Sequence, residues 1–503
     1  MVINRDVVKN VPMCCYGFII FLVVNVYLLW GVALPASHAQ TLGDYDTIIQ
    51  PFRFGASGTM AIVPLLVLAA ELSANRVRQI LRAALLPCAA LGSVIGLLFF
   101  VGATISVDSP TLYGIAGVLV GAGNSCCFLL WGVVLARLTQ AGCTLVLLLS
   151  GVGSGLLNLG LFSLPSTLGY PIVAILLVLS LGSLRMSLRD LPALPSQDRP
   201  PSPIQRLKNL GAALGEPLLC VCALALAFNV FREVAFAQAG GTAMVNAISM
   251  LGLIMGTGAI LAVLAIFKVK APEVSGIYPL ATLVVAACMA PFPFVGPDFY
   301  LSFVFVISVF YLLVETLFKG VVAAYARSSD ESALTAFGFA FGIEFAMMGV
   351  GSLMGALPRG AGGENQVMYV IALVLLCMYL LVVPLVSAYR KHKGKVDGPG
   401  MEASNFVQER VVIRPVDADE LQQRCEAIAA RSGISQSELA VMVLLAAGQT
   451  VAAISRRLSL SENTIRSHSK AIYRKLDVHS KQELIDLVAN FRGVGGGDDA
   501  GKP

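Results

Sequence analysis

Four candidate ligand residues with ionisable side chains lie inside long apolar runs of the chain. Glu315 and Lys319 are four residues apart in one run, Glu344 lies in another, and Glu233 follows Arg232 in a third. A charge at membrane depth is costly, and such residues commonly belong to ligand or ion sites. The sequence therefore predicts a ligand site that draws on these four side chains, with an unknown small molecule as its expected occupant.

A structural role is the alternative for part of this set. Glu315 and Lys319 have the i,i+4 spacing of an ion pair within one helix, which would stabilise that helix without binding a ligand. We favour the ion pair for these two residues. Glu344 has no charged residue at helical spacing, which makes it the better candidate for a pocket.

Residue patterns typical of enzymes are missing from the sequence. It contains no CxxC pair with a partner pair, no phosphate-binding loop and no recognisable nucleophile–base arrangement. Ten of the eleven cysteines lie in or beside apolar runs, where cysteine behaves as a small hydrophobic residue. We therefore predict no catalytic residues, no metal site and no cofactor, and expect that the protein is not an enzyme.

The composition divides the chain into two parts. Hydrophobic residues make up 57% of the sequence and charged residues 13%, whereas soluble domains are about 25% charged. Residues 1–390 carry 35 charged side chains, and the much shorter segment 391–503 carries 30. This contrast predicts a membrane domain followed by a soluble one.

Twelve apolar runs in the first part are candidates for membrane spans, each of which needs about 20 residues. They are residues 13–34, 54–72, 83–105, 110–136, 142–163, 168–184, 214–236, 242–267, 275–295, 299–324, 332–356 and 366–389.

The loop charges predict the orientation of these spans. With the N-terminus in the cytoplasm, 19 lysines and arginines lie on the inner side, and three (Arg53, Arg232 and Arg359) lie on the outer side. We therefore expect a multi-pass membrane protein with both termini in the cytoplasm. As an alternative, Ala36–Ala39 resembles a signal-peptidase site, but the preceding apolar run is longer than the usual core of a signal peptide. Cleavage would leave eleven spans and the same cytoplasmic C-terminus.

A polar, proline-rich loop at about 185–213 divides the spans into six plus six. Gly151-Val152-Gly153-Ser154 in span five recurs as Gly349-Val350-Gly351-Ser352 in span eleven, and both include small-xxx-small spacing. This layout resembles the major facilitator superfamily, whose halves are repeats. That family's basic signature between spans two and three is not reproduced in residues 73–79. The resemblance is therefore one of architecture and leaves transport open.

Helix-start patterns organise the soluble part. Ser435 with Glu438 and Ser480 with Glu483 have the spacing of capping boxes, and Ser461 is placed to cap the helix between them. We predict a cytoplasmic linker and connecting helix at 391–432, a four-helix domain at 433–492 and a disordered tail at 493–503. The tight turn between the second and third helices is typical of a helix-turn-helix unit.

Residues 435–490 strongly resemble the LuxR-type DNA-binding domain. The matching residues include the run from Leu460 to His468 (LSENTIRSH) and the run from Ile472 to Leu476 (IYRKL). Val451-Ala452-Ala453 departs from the family, which usually has a polar triplet there. The expected fold is thus all-α: a polytopic twelve-helix, major-facilitator-like bundle followed by a four-helix LuxR-type domain.

The third helix of this domain carries a basic stripe of Arg466, Lys470 and Arg474, each four residues from the next. A solvated face is the ordinary explanation for such a stripe, but this helix is the one expected to enter the major groove. The resemblance implies base contacts from Asn463, Arg466, Ser467 and Lys470, and phosphate contacts from Thr464, Arg474 and Lys475. It leaves His468 as either a structural hydrogen-bonding residue or a DNA contact.

The complete layout resembles membrane-bound LuxR-type regulators. That resemblance implies a membrane domain that senses a signal, a domain that binds double-stranded promoter DNA, and a homodimer formed through the fourth helix. The alternative is a secondary transporter with a fused helix-turn-helix domain that regulates its own expression.

Overall fold

The computed structural model divides the chain into two compact units. They are Met1–Ser404, here called the membrane unit, and Asn405–Pro503, here called the C-terminal unit. Residues described by the structure are 11–29, 50–73, 75–106, 109–192, 202–238, 241–267, 274–291, 294, 299–329, 331–357, 371–383, 418–446, 454–455, 458, 460–478, 483–484 and 487–488.

Twelve helices make up the described part of the membrane unit, and each overlaps one predicted span. The helices are α1 (Gly17–Leu29), α2 (Gln50–Glu71), α3 (Asn75–Ser106), α4 (Pro110–Arg137), α5 (Gln140–Phe162), α6 (Ser166–Asp190), α7 (Pro203–Gln238), α8 (Gly241–Phe267), α9 (Val274–Met289), α10 (Tyr300–Ser328), α11 (Ala333–Ala356) and α12 (Ile371–Val383).

Nine of these helices are long and apolar enough to cross a membrane. Within the described residues, α1, α9 and α12 are shorter apolar helices. Residues 30–34 of the first predicted span, and residues 366–370 and 384–389 of the last, lie outside the described residues. Large apolar side chains such as Leu66, Leu98 and Val178 are more than half exposed on the bundle surface. Helices satisfy their backbone groups internally, so an apolar exterior of this kind suits lipid. The membrane unit is a multi-pass helical bundle.

The helix packing repeats after six helices. In the first half, α1 packs on α5 and α4 packs on both α2 and α3; in the second, α7 packs on α11 and α10 packs on both α8 and α9. The halves meet mainly where α2 packs on α11 and where α5 packs on α8, and these two contacts are equivalent under the same repeat. The pairing therefore has the six-plus-six arrangement that the sequence predicts.

The recurring glycine motifs allow close helix packing, but against different partners. A Cβ atom at Gly155 of α5 would lie 2.5 Å from Ile254 of α8. A Cβ atom at Gly351 of α11 would lie 2.6 Å from the backbone carbonyl of Leu226 in α7. The motif in α5 therefore packs between the halves, whereas the motif in α11 packs within the second half.

A buried arginine joins the two halves at the end of the bundle where α7 and α11 begin. Arg206 donates to Glu331 Oε2 (2.9 Å), to Thr335 Oγ1 (3.0 Å) and to the backbone carbonyl of Glu71 (3.1 Å). Its side chain is only 6% exposed, and that of Glu331 is 7% exposed. The sequence indicated only a loop charge at Arg206, whereas the structure gives it a partner on each of three segments.

Glu71, the last residue of α2, extends the same network. Its two carboxylate oxygens accept from Arg82 Nε and Nη2 at 2.6 and 2.7 Å. Ser332 Oγ, which caps α11 by accepting from Thr335 N, donates to Glu71 Oε2 at 2.9 Å. Glu71 is fully buried, so its charge depends on these partners.

The C-terminal unit has its own hydrophobic core. Its described helices are α13 (Ala418–Ser432), α14 (Gln436–Ala446) and α15 (Glu462–Leu476), and further helical residues lie at 454–455, 458, 483–484 and 487–488. Cys425, Val441, Ile465, Ile472 and Leu484 are buried together in the core. Most of the predicted second and fourth helices lies outside the described residues.

Two predicted helix caps are present in this unit. Ser435 N donates to Glu438 Oε2 at 2.7 Å while Glu438 N donates back to Ser435 Oγ at 3.4 Å, which is a reciprocal capping box. Ser461 Oγ accepts from Thr464 N at 3.1 Å at the start of α15. These bonds satisfy backbone donors that the first turn of a helix leaves without intrahelical partners.

Lys475 connects the end of α15 to the start of α14. Its Nζ lies 2.7 Å from Glu438 Oε2 and donates to the Gly433 carbonyl at 2.9 Å. The hydrogen bond from Lys475, together with that from the backbone N–H of Ser435, lowers the pKa of Glu438 from 4.5 to about 2. Glu438 therefore links the start of α14 to the end of α15, whereas the sequence indicated only its capping role.

Arg206→Ala is expected to destabilise the full-length protein. The substitution leaves the buried Glu331 carboxylate without its main partner, which typically costs about 3–5 kcal/mol. Thermal unfolding of the protein in nanodiscs measures the effect, and Arg185→Ala, at an exposed position of α6, is the control. Equal unfolding midpoints for both variants would show that the network does not hold the halves together.

Glu438→Gln is expected to destabilise fragment 405–503 in a pH-dependent way. Because the folded pKa is depressed, the stabilisation is fully present above the ordinary pKa of 4.5 and is lost as the pH falls through about 2. At pH 7 the free energy of unfolding should fall by about 1–2 kcal/mol. Urea unfolding from pH 2 to pH 7 measures this difference. Glu426→Gln, on the exposed face of α13, should show no comparable pH-dependent loss.

Candidate DNA-binding surface and membrane cavity

Helix α15 has one buried and one exposed face. Ile465 and Ile472 are fully buried and Ser469 is nearly so, while Arg466 and Lys470 are exposed. With roughly 100° of rotation per residue, the exposed positions point away from the buried ones. The core contacts of α15 therefore present its basic residues to solvent.

The exposed face also carries the predicted polar residues. Asn463, Ser467 and Arg474 are exposed and lie on the same side of α15 as Lys470. Ser467 Oγ donates to the Asn463 carbonyl at 3.0 Å. The structure thus brings together the amide, hydroxyl and basic groups that direct contacts to bases and phosphates require.

The other three predicted contacts have different surroundings. Thr464 is half-buried and takes part in the cap with Ser461, where the two hydroxyl oxygens lie 2.8 Å apart. His468 is half-buried between the two faces. Lys475 is exposed, but its ammonium already binds Glu438 and the Gly433 carbonyl. A phosphate contact by Lys475 would compete with these bonds.

A central cavity of about 150 Å³ lies in the membrane unit. It is lined by residues of both halves. They are Leu22, Asn25, Val26 and Leu29 of α1; Gln50, Arg53, Phe54, Ala56, Ser57 and Met60 of α2; Phe128 of α4; Gly151 and Ser154 of α5; Asn229, Arg232 and Glu233 of α7; Met250 and Leu253 of α8; Tyr311, Leu312, Glu315, Thr316 and Lys319 of α10; and Phe345, Met348 and Ser352 of α11.

Three of the four predicted ligand residues line this cavity. Glu315 and Lys319 form the expected i,i+4 ion pair, and Lys319 Nζ lies 5.9 Å from the ring centroid of Phe128 and 6.0 Å from that of Phe341. Glu233 also lines the cavity and lies near the C-terminal end of α7. The ion pair and the cavity position are therefore compatible, although the sequence presented them as alternatives.

Glu344 does not line the cavity. It is fully buried, and Tyr311 Oη donates to its Oε1 at 3.2 Å. The sequence showed no partner for Glu344 because Tyr311 is 33 residues away, on α10. Tyr311 itself lines the cavity. Glu344 is therefore connected to the cavity lining by a single hydrogen bond.

Sequence reasoning missed two arginines of the lining. Arg53 pairs with Glu233 across the two halves, and Arg232 Nη2 donates to Asn246 Oδ1 at 2.6 Å. The Cζ atoms of Arg53 and Arg232 lie 5.1 and 5.0 Å from the ring centroid of Phe236. Both arginines were interpreted as outer loop charges, but they lie inside α2 and α7. Glu233 in the same apolar run as Arg232 was the available indication.

Comparison with known proteins identifies the C-terminal domain. Residues 432–488 match the family model described as "Bacterial regulatory proteins, luxR family". Among solved structures, the chain is similar to a major facilitator superfamily transporter, FucP, in the outward conformation. That similarity has 13% identity and a TM-score of 0.47, and covers 75% of this chain and 97% of the other.

No curated protein matches the chain. The family match includes α14, α15 and the basic face described above. Residues 432–488 are therefore a LuxR-family helix-turn-helix domain, and the chain that carries it is a multi-pass helical membrane protein.

Proposed function

We propose that this protein is a membrane-anchored, one-component transcription regulator of the bacterial inner membrane. Its membrane unit senses a small molecule, and its LuxR-type domain binds promoter DNA as a homodimer. The observation that carries the proposal is the exposed basic face of α15 within a domain that matches the luxR family. A cavity on the same chain, lined by charged residues of both halves, supports the sensing role.

The DNA contacts follow from positions on α15. Asn463, Arg466, Ser467 and Lys470 are proposed to read base edges, since their side chains are exposed near the start and middle of the helix. Arg474 and Thr464 are proposed to contact phosphates. Lys475 is proposed to support the fold first and to add charge near the DNA second, because Glu438 holds its ammonium.

The signal site is proposed to be the central cavity. Glu233, Glu315 and Lys319 face it directly, and Glu344 acts on it through Tyr311. Because the cavity is lined from both halves, a ligand can shift the equilibrium between arrangements of the halves in proportion to its difference in affinity for them. Both termini are proposed to be cytoplasmic, so the change can reach the DNA-binding domain.

A secondary transporter with an autoregulatory domain is the second candidate. The six-plus-six helix packing and the central cavity between the halves favour it. Both proposals involve binding in the same cavity, and they differ in whether the ligand crosses the membrane. Neither involves a chemical reaction on the ligand.

Arg466→Ala with Lys470→Ala is expected to abolish sequence preference in fragment 405–503. Each base-reading side chain contributes about 1–3 kcal/mol of discrimination. Competition binding between promoter DNA of its own gene and unrelated DNA, measured at several salt concentrations, gives the specificity ratio. Arg431→Ala, an exposed arginine of α13, is the control for a lost charge. Retained preference in the double variant would contradict the proposed contacts.

Uptake measurements distinguish the regulator from the transporter. A radiolabelled molecule that raises the unfolding temperature of the protein is supplied to proteoliposomes with imposed proton and sodium gradients. We expect binding without accumulation, because a sensor needs the ligand only to bias one arrangement of the halves. Accumulation above that of protein-free liposomes would establish the transporter instead.

A further inference from the structure

We propose that the central cavity binds a small organic anion that has one carboxylate and an apolar body, and that Arg53 and Arg232 hold the carboxylate. This inference rests on the proposed sensing function, because it names the ligand class of the same cavity. The argument has three parts: the charge of the lining, the placement of the two guanidinium groups, and the character of the remaining wall.

The charge of the described lining favours an anion. Three cationic side chains (Arg53, Arg232 and Lys319) and two carboxylates (Glu233 and Glu315) face the cavity, which gives a formal sum of one positive charge. Charges shielded from water are stable when they are paired. A ligand with one negative charge would bring the sum to zero, whereas a cationic ligand would raise it to two.

The two arginines lie beside the same aromatic ring. Their Cζ atoms lie 5.1 and 5.0 Å from the centroid of the same Phe236 ring, so they are no more than about 10 Å apart. Each guanidinium carries five N–H donors in a planar fork that matches a carboxylate. Arg53 can therefore bind Glu233 and a ligand oxygen at the same time, and Asn246 orients Arg232.

The rest of the wall is largely apolar. Phe128 and Phe345 join Met250 and Leu253 on the lining, and the Glu315–Lys319 pair adds no net charge. A volume of about 150 Å³ has room for a body the size of one aromatic ring or a short alkyl chain. Such a ligand places its carboxylate at the arginines and its body against these side chains.

Three probes with one ring and different charges test the inference: benzoate, benzamide and benzylamine. Thermal unfolding of the full-length protein in nanodiscs is followed against the concentration of each probe. We expect benzoate to raise the unfolding temperature at the lowest concentration. Arg232→Gln should weaken benzoate binding on the order of 10- to 100-fold, as expected for a lost hydrogen bond to a charged group. Arg185→Gln, at an exposed position of α6, should leave it unchanged.

Arg53→Gln and Arg232→Lys provide a second test if Arg232→Gln does not fold. Arg53→Gln should weaken benzoate binding. Arg232→Lys, which keeps the positive charge, should weaken it less than Arg53→Gln does. Absence of benzoate binding overturns the inference. So does equal or tighter binding of benzamide or benzylamine, or unchanged benzoate affinity in a folded arginine variant.

Promoter occupancy, measured in the same nanodisc samples, separates this inference from the proposed function. Benzoate binding that never changes occupancy would contradict the sensor and leave the anion site standing. Occupancy that responds to benzylamine and not to benzoate would contradict the anion class and leave the sensor standing.

Discussion

The organisation of the membrane unit depends on the pairing of charges that its helices remove from water. An isolated charge in an apolar interior is too costly to keep, so each one must meet a partner on another turn or another helix. Arg206 with Glu331, and Arg53 with Glu233, meet this requirement. The first pair lies at the end of the bundle where α7 begins, and the second lies near the opposite end of α7. Both connect α7 to a different part of the chain.

These two pairs differ in what surrounds them. The Arg206 network also binds Thr335 and the Glu71 carbonyl, and it connects the two halves at one end of the bundle. The Arg53–Glu233 pair lines an open space instead. The same need for charge pairing therefore produces a structural contact where α7 begins and a charged cavity lining near the end of α7. Under the proposed function, a ligand in this cavity contacts both halves, so its binding can be coupled to their arrangement.

The C-terminal unit differs, since the basic residues Arg466, Lys470 and Arg474 of its helix α15 remain exposed to water. Its core is a small cluster of apolar residues, and its helix ends are held by capping bonds from Ser435 and Ser461. The exposed cations of α15 pay no desolvation cost until they meet a polyanion, where phosphate contacts and counterion release favour binding. Lys475 is the exception, because it stabilises the fold through Glu438.

The sequence by itself determined the two-part organisation, the helical spans, the six-plus-six division and the LuxR-type domain, because these features depend on local composition and on short, ordered motifs. It also determined the Glu315–Lys319 pair and the Ser435–Glu438 capping box, whose partners lie within four residues. Only the tertiary structure decided that Arg53 and Arg232 line a cavity, that Tyr311 binds Glu344 and that Arg206 joins the halves. Those arrangements join residues that are far apart in the sequence, and Arg206 and Glu331 are 125 positions apart. Helical periodicity specifies which face of a helix is apolar but not which distant helix packs against it.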